Sequence, residues 1–109
     1  MHIEISLPHH TIKPWIADQV KEKLLTLHRL DPEIVEAKVS FHQVSLDQEH
    51  EKICEIELII YGDTIWVCNR SDTYETAARE ALEEITRQVD IQIRHRKDPP
   101  EQITSTVKV

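Results

Sequence analysis

The chain of 109 residues is 39% hydrophobic and 30% charged, and its formal net charge is −7. These values indicate one globular domain with a modest core and exclude a disordered chain. No stretch approaches the roughly 18 consecutive apolar residues of a membrane helix, and the N-terminus lacks the basic and apolar segments of a secretory signal. We therefore expect a cytoplasmic protein that does not enter membranes. The only glycine, Gly62, argues against a nucleotide-binding enzyme, because phosphate-binding loops use several glycines.

The N-terminal part of the chain predicts a strand followed by a helix. Apolar and polar residues alternate from Ile3 to Leu7, which is the period of a half-buried strand. A helix from about Ile12 to Leu30 follows, with Pro14 tolerated in its first turn, and Asp31-Pro32 ends it. Its apolar face, spaced by three and four residues, comprises Ile12, Ile16, Val20, Leu24, Leu27 and Leu30.

The middle of the chain predicts three strands. The first covers about residues 35–42, where Val35 and every second residue after it are apolar and inward. The polar run Asp47–Glu51 is expected to be a loop. The strongest strand, Ile53–Tyr61, is followed by Gly62-Asp63 and a strand of residues 64–70, which together indicate a hairpin.

A two-residue turn at Gly62-Asp63 places Tyr61 opposite Thr64 and so determines which side chains share a face of the sheet. The core face comprises Cys54, Ile56, Leu58, Ile60, Ile65 and Val67. The outer face comprises Glu55, Glu57, Ile59, Tyr61, Trp66, Cys68 and Arg70, with Glu55 opposite Arg70. Because Cys54 and Cys68 lie on opposite faces, we expect two free thiols and no disulfide.

The last element is a helix with Ser71 or Asp72 as its N-cap. Its inward residues are Tyr74, Ala78, Ala81, Leu82, Ile85, Val89 and Ile93. The order β-α-β-β-β-α predicts a single α+β domain, a four-stranded sheet with two helices packed on one face, as in double-stranded RNA-binding domains (dsRBD-like). We expect this domain to span residues 1–98 and residues 99–109 to form a flexible C-terminal tail.

No arrangement of residues predicts catalysis or metal binding. The seven histidines lack the Cys-x-x-Cys or His-x-x-x-His spacing of a metal site, although His2 and His42 would approach each other if the first two strands were neighbours. The outer-face carboxylates are expected to be solvated, and Cys68 has no evident base to activate it. We therefore expect no enzyme activity, no cofactor, no metal and no small-molecule substrate.

The end of the last helix is basic although the chain is acidic. Residues 86–97 contain four basic residues and one acidic residue. Two of the arginines follow an acidic residue by four positions, a pairing that contributes about 0.2–0.5 kcal/mol. The pairs are Glu83–Arg87 and Asp90–Arg94. Arg96 and Lys97 lack such partners and are the better candidates for phosphate contacts, whereas the helix dipole is the alternative reason for cations at this end.

An apolar pair on the outer sheet face is a second candidate site. Ile59 and Trp66 are expected to face each other there, with Tyr61 beside them. Cross-strand stabilisation explains such a pair and is the favoured interpretation. A contact surface for another protein or for RNA is the alternative.

Several segments resemble the family of ribosome hibernation-promoting factors and ribosome-associated inhibitors, long labelled sigma-54 modulation proteins. The segments are Val20-Lys21-Glu22-Lys23-Leu24 with Leu27 and Arg29, then Lys52 to Leu58, then Tyr61 to Val67, and finally Tyr74, Ala77 and Arg87-Gln88-Val89. The resemblance rests on their order and spacing and covers nearly all of residues 1–97.

The resemblance implies a non-enzymatic protein that binds the small ribosomal subunit, with its 16S rRNA and proteins, at the mRNA–tRNA channel. Such proteins inhibit translation in stationary phase or stress. Binding would use RNA shape and phosphate charge, not base readout. The implied RNA-binding residues are Lys23, Arg29, Arg87, Arg94, Arg96 and Lys97. Because the additional C-terminal domain of long family members does not follow residue 97 in this sequence, we expect a short form of the family.

The last helix departs from the family pattern. Asp90 and Ile91 occupy positions where the family usually has lysines, and Ala78-Arg79 replaces an aliphatic residue and an aspartate. Nearby glutamates add negative charge to a helix that is expected to approach rRNA. These departures predict weaker ribosome binding or a different partner.

The alternative function is therefore that of a divergent family member with weak or no ribosome binding. In this alternative the face of Ile59, Tyr61 and Trp66 is a protein-interaction surface that binds a partner or forms a homodimer.

Overall fold

The computed structural model describes residues 1–8, 12–46 and 49–97, without the side chains of Leu46, Glu49 and Lys97. Its elements are β1 (His2–Ser6), α1 (Pro14–Leu30), β2 (Ile34–Leu46), β3 (Glu49–Ile60), β4 (Asp63–Ser71) and α2 (Tyr74–Lys97). This order confirms the predicted α+β fold. The predicted tail at 99–109 lies outside the described residues. None of the described helices is long and apolar enough to cross a membrane.

The four strands form one mixed sheet in the order β1-β2-β3-β4. β1 runs parallel to β2, with Ile3 beside Ala37 and Ile5 beside Val39, whereas the other two pairs of strands are antiparallel. Two parallel strands need a long crossover connection, which α1 provides. Both helices pack on the same face of the sheet and form one core with it, as predicted.

The core lies between the sheet and the two helices. Val20 and Leu24 of α1 and Ile85 of α2 are fully buried. Phe41 and Tyr74 meet edge to face with ring centroids 5.8 Å apart, which joins β2 to the first turn of α2. Complete burial of one such large apolar side chain stabilises a fold by about 1.5–3 kcal/mol. This packing determines which sides of α1 and α2 face outward.

Three residues predicted to be inward are exposed. Leu7 follows the last residue of β1, and Leu30 is the last residue of α1. Both side chains lie at the end of an element, beyond the core, and are exposed. Val35 is 49% exposed because a register shift between Ile34 and Glu36 makes a bulge in β2, and Ile34 occupies the core position instead. The strict alternation predicted for β2 is therefore wrong at its first residues.

The β2–β3 hairpin is longer than predicted. β2 continues to Leu46 and β3 begins at Glu49, so part of the predicted loop is strand. His50 Nδ1 lies 3.1 Å from Gln43 Nε2 and 2.8 Å from Ser45 Oγ. These polar contacts join the two strands beyond the core, where the alternation that runs from Val35 to Phe41 has ended.

The β3–β4 turn comprises Tyr61 and Gly62, not Gly62 and Asp63. Gly62 has a φ of +86°, in the left-handed region that glycine adopts at little cost. Ile60 therefore pairs with Asp63, and the register is shifted by two residues from the prediction. Because side chains alternate with a period of two, this shift keeps the side chains of the strands on their predicted faces. Tyr61, which was predicted on the outer face of the strand, lies in the turn instead. The predicted core face is confirmed.

The shifted register changes the cross-strand partners. Arg70 donates a hydrogen bond to Glu51 at 3.2 Å and does not face Glu55, which lies opposite Cys68. Both cysteines are free, with Cys54 buried and Cys68 half-buried. The prediction of free thiols is confirmed.

α2 begins slightly later than predicted. Thr73 precedes the helix, and its Oγ1 accepts a hydrogen bond from the N–H of Thr76 at 3.1 Å, which is an N-cap contact. Ser71 still belongs to β4, so the predicted N-caps Ser71 and Asp72 are wrong. The inward side of the helix begins at Tyr74 and follows the predicted pattern.

Candidate nucleic-acid interface

The outward surfaces of α1 and α2, here called the helical layer, meet along a groove of about 760 Å³. The lining residues are Gln19, Glu22, Lys23 and Thr26 of α1 and Glu75, Arg79, Leu82, Glu83 and Thr86 of α2. Lys23 and Arg79 are the cations of this groove. The groove therefore presents two positive side chains among three carboxylates.

Arg79 is a candidate that the sequence analysis did not select. It is exposed on α2 and lines the same groove as Lys23 of α1. In the sequence, Arg79 was notable only as a departure from the family pattern. Its position opposite Lys23 depends on how the two helices pack, which the spacing within one helix does not indicate.

Arg87 and Arg94 are exposed cations with acidic neighbours on α2. Arg94 Nη2 lies 2.7 Å from Asp90 Oδ2, which confirms the predicted pair. Arg87 Nη2 lies 3.8 Å from Glu84 Oε2, so the predicted partner Glu83 is wrong. Exposed ion pairs contribute only about 0–1 kcal/mol. Either guanidinium can therefore exchange its carboxylate for a phosphate at small cost.

A second groove of about 280 Å³ lies near the end of α1. The lining residues are Leu27 and Leu30 of α1 and Glu83, Thr86, Arg87, Val89, Asp90 and Ile93 of α2. Arg87 is its cation, and four of its other residues are aliphatic. This groove combines one positive charge and the two carboxylates of Glu83 and Asp90 with an apolar surface.

Arg96 is not the unpartnered cation that was predicted. Its Nη2 and Nη1 donate to the two carboxylate oxygens of Asp31 at 2.6 and 3.1 Å, and Nη1 also lies 3.1 Å from Glu33 Oε1. Asp31 is only 2% exposed, so this two-pronged contact is partly withdrawn from water. The prediction was wrong because it considered partners on α2 alone, whereas Asp31 follows α1.

The Asp31–Arg96 contact favours the charged form of both groups. Hydrogen bonds from Arg96 lower the pKa of Asp31 against the opposing effect of burial, and the Glu33 N–H, which donates to Oδ1 at 3.2 Å, lowers it further. The same contact raises the pKa of Arg96. Both side chains therefore stay charged at neutral pH, and the pair fixes α2 to the turn before β2.

A second contact fixes the same end of α2. Gln92 Nε2 donates to Asp63 Oδ2 at 2.8 Å, and the Thr64 N–H donates to Asp63 Oδ1 at 2.7 Å. The bond from Gln92, followed by that from Thr64, lowers the pKa of Asp63. The basic end of α2 thus lies beside the carboxylates of two turns of the fold.

The six predicted RNA contacts lie in different settings. Lys23 and Arg87 line the two grooves of the helical layer. Arg29 and Arg94 are exposed on α1 and α2. Arg96 is bound to Asp31. The Lys97 side chain lies outside the described part of the structure.

The apolar pair predicted on the outer sheet face is not directly paired. Ile59 lies opposite Thr64 and Trp66 lies opposite Glu57, because of the shifted register. Trp66 is 59% exposed, and Tyr61 in the turn is 81% exposed. Ile59 and Trp66 are therefore diagonal neighbours on the outer face and not the directly opposed pair that was predicted.

His2, Glu4 and Glu36 form a cluster at one end of the outer sheet face, with ligand atoms within 4.8 Å of one another. β1 and β2 are neighbours, but their register places His2 beside Glu36 and far along the strand from His42. His42 Nδ1 instead lies 3.6 Å from Glu55 Oε1. Sequence spacing could not indicate the cluster, because its members come from two strands. Exposed polar groups of this kind are ordinary on a solvated sheet.

The two thiols are not activated. Burial raises the pKa of Cys54 to about 12, and burial followed by the charge of Glu55 raises the pKa of Cys68. Because the thiolate is the nucleophile, neither side chain is suited to nucleophilic catalysis at neutral pH.

The sequence matches the family described as Sigma 54 modulation protein / S30EA ribosomal protein over residues 3–98. Two similar solved structures are a ribosomal subunit interface protein from Coxiella burnetii and the N-terminal domain of Protein Y from Thermus thermophilus. The first is 22% identical with a TM-score of 0.68, and the match covers 86% of this chain and 99% of that chain. The second is 23% identical with a TM-score of 0.66, and the match covers 82% and 96%. Among curated proteins, none matches at a significant level.

Proposed function

Because the chain belongs to the sigma 54 modulation protein / S30EA ribosomal protein family, we propose that it is a ribosome-associated inhibitor of translation. It binds the small subunit, with its 16S rRNA and proteins, at the mRNA–tRNA channel and acts in stress or stationary phase. The family match over residues 3–98 supports this proposal most, since it includes both helices and all of the sheet except His2. The protein would act in the cytoplasm, by binding and not as an enzyme.

The helical layer is the RNA-binding surface in this proposal. The proposed phosphate contacts are Lys23, Arg29, Arg79, Arg87 and Arg94, with Lys97 added from the sequence. Guanidinium and ammonium groups bind phosphate oxygens through charge-assisted hydrogen bonds, and such contacts recognise the shape of RNA and not its bases. Arg96 contributes indirectly, because its donors are bound to Asp31 and Glu33.

Carboxylates on the helical layer limit the expected affinity. Glu22, Glu75 and Glu83 line the larger groove, and the whole chain has a net charge of −7. Phosphates that approach the cations also meet these negative groups. We therefore expect binding that depends on a few local contacts and weakens as salt increases.

The groove cations are tested with the double variant Lys23→Gln/Arg87→Gln. Pelleting with purified small subunits at about 50 mM and about 200 mM salt measures how affinity depends on salt. Loss of two phosphate contacts is expected to weaken binding at low salt and to lower the slope of log affinity against log salt by about two.

The matched control is Lys38→Gln/Arg70→Gln, which removes the same charge from exposed positions on the sheet. It is expected to leave the slope unchanged. An unchanged slope for the groove variant, or an equal fall for both variants, would contradict the helical layer as the RNA-binding surface.

A second candidate function is protein interaction through the outer sheet face, with weak or no ribosome binding. The exposure of Trp66 on this face and of Tyr61 in the adjoining turn supports it, since exposed apolar side chains mark many interaction sites. A different protein or a second copy of the chain would occupy this face.

A further inference from the structure

We infer that the outer sheet face binds an extended protein segment rich in arginine and lysine. This inference rests on the protein-interaction function proposed for that face and is independent of RNA binding by the helical layer. The central row of the face contains one residue from each strand, in the order Glu4, Lys38, Glu57 and Trp66. We call the outward side of the sheet around this row the acidic sheet face.

Carboxylates outnumber cations on the acidic sheet face. Its carboxylates are Glu4, Glu36, Glu55 and Glu57, and its central cation is Lys38. Lys38 lies between Glu4 and Glu57 in the same row, so one positive charge has two acidic neighbours. In the flanking rows the neighbours are histidines, with His2 beside Glu36 and His42 Nδ1 3.6 Å from Glu55 Oε1. At the far end, Arg70 and Glu51 pair with each other. This face attracts cations and repels nucleic-acid phosphates, which favours a basic protein segment over RNA as its occupant.

A shallow groove of about 320 Å³ lies at the centre of the acidic sheet face. Its lining residues are Glu4, Ser6, Lys38, Val39, Ser40, Glu55, Glu57 and Trp66. Trp66 is directly opposite Glu57, and tryptophan is the side chain that attracts cations most strongly over its ring. A single site therefore offers an aromatic face and a carboxylate together. This combination suits the planar guanidinium of arginine, which both stacks and forms paired hydrogen bonds.

The spacing of the carboxylates indicates an extended partner. Glu55 and Glu57 are separated by one residue on β3, so their side chains leave the same side of the sheet about 6.6–6.8 Å apart. Alternate residues of an extended peptide have the same separation. A segment with a cation at every second position can therefore place consecutive cations on both carboxylates.

A second copy of the chain fits the acidic sheet face poorly. In a two-fold dimer each face would meet the same face of its partner. The excess of carboxylates would then oppose an equal excess, and like charges across an interface disfavour association. The partner is therefore a chemically different, basic segment.

The test uses a fluorescently labelled peptide of four Arg–Ser repeats and the full chain, with fluorescence anisotropy as the measurement of binding. Glu55→Lys/Glu57→Lys is expected to weaken binding by about tenfold or more, because two attractive contacts become repulsive. Trp66→Ser is expected to weaken it by about two- to fivefold, from loss of the ring under the cation.

The matched control is Glu22→Lys/Glu80→Lys, which makes the same change in net charge on exposed positions of the helical layer. Because exposed charges more than about 10 Å apart are largely screened at 0.1 M salt, peptide affinity is expected to stay within about twofold. Circular dichroism confirms that each variant is folded, and amide shifts in an NMR titration locate the peptide.

Absence of peptide binding at low salt, or equal losses for the sheet and helix variants, would overturn the inference. Sedimentation velocity distinguishes failure of the basic-segment inference from failure of the protein-interaction function proposed for this face. Self-association that disappears in Trp66→Ser would overturn the basic partner while supporting protein interaction through the same face. Neither result changes the expectation for pelleting with small subunits.

Discussion

Asp31 determines how the end of α2 is held. Its carboxylate is buried, accepts two hydrogen bonds from Arg96 and one from the N–H of Glu33, and its carbonyl accepts the N–H of Ile34 at 3.1 Å. One residue thus joins the end of α1, the start of β2 and the last turn of α2. A buried carboxylate that loses its partner is costly, so the Asp31–Arg96 pair is expected to influence stability more than the exposed pairs of α2.

The coupling between Asp31 and Arg96 is measurable with the variants Asp31→Asn and Arg96→Gln and their combination. We expect Asp31→Asn to lower the free energy of unfolding by about 1–3 kcal/mol, because it removes charge-assisted hydrogen bonds. The double variant is expected to lose less than the sum of the two single losses, with a coupling of about 0.5–3 kcal/mol. Urea unfolding measures all three, and strict additivity would contradict the pairing.

The same coupling is expected to depend on pH. The pKa of Asp31 is lower in the folded chain than in the unfolded chain, so the folded state favours the carboxylate. The contribution of the pair is therefore complete above the unfolded pKa of about 4 and disappears as pH falls through the lower folded pKa. The stability difference between the native chain and Asp31→Asn should shrink in that acidic range, and a difference that grows there would contradict the assignment.

At the residue scale, sequence spacing predicted one of the two ion pairs that were expected within α2. The Asp90–Arg94 pair is an example, since both residues lie on α2 at a fixed separation. The surroundings of Arg96 and Arg79 could not be predicted in this way, because their neighbours come from the turn after α1 and from α1 itself. Such neighbours depend on the packing of elements, which the periodicity of one helix does not determine.

At the scale of elements, the strand faces could be predicted more reliably than the strand partners. The alternation of Ile56, Leu58 and Ile60 gave the correct core face, because the period of two is a property of any strand. The turn at Tyr61-Gly62 and the bulge after Ile34 depend on local backbone conformations. A turn at Gly62-Asp63 and a turn at Tyr61-Gly62 both leave the same residues facing the core. The alternation therefore could not distinguish between two registers that differ by two residues.

The β3–β4 turn gives a prediction at this scale. A Cβ added at Gly62 would meet no heavy atom within 4 Å, but the φ of +86° disfavours ordinary side chains. We expect Gly62→Ala to lower the free energy of unfolding by about 1–2 kcal/mol, and Gly62→Asn to cost less, because asparagine adopts left-handed conformations more readily. Urea unfolding compares the two variants, and a larger loss for Asn than for Ala would contradict a backbone origin.

At the scale of the whole molecule, the fold places two candidate binding surfaces on opposite sides of the domain. The helical layer places Lys23, Arg79 and Arg87 along the grooves between α1 and α2, whereas the acidic sheet face presents Glu55 and Glu57 beside Trp66. A net charge of −7 is therefore compatible with a local RNA-binding surface. This arrangement allows the domain to contact RNA with one side and a basic protein segment with the other.

Small-subunit binding is the central claim, and pelleting the native chain with purified small and large ribosomal subunits tests it most directly. At about 50 mM salt we expect the protein to pellet with small subunits and not with large ones, and at about 200 mM salt we expect much of this binding to be lost, because phosphate contacts release counterions. Absence of the protein from the small-subunit pellet at the lower salt concentration would contradict the claim.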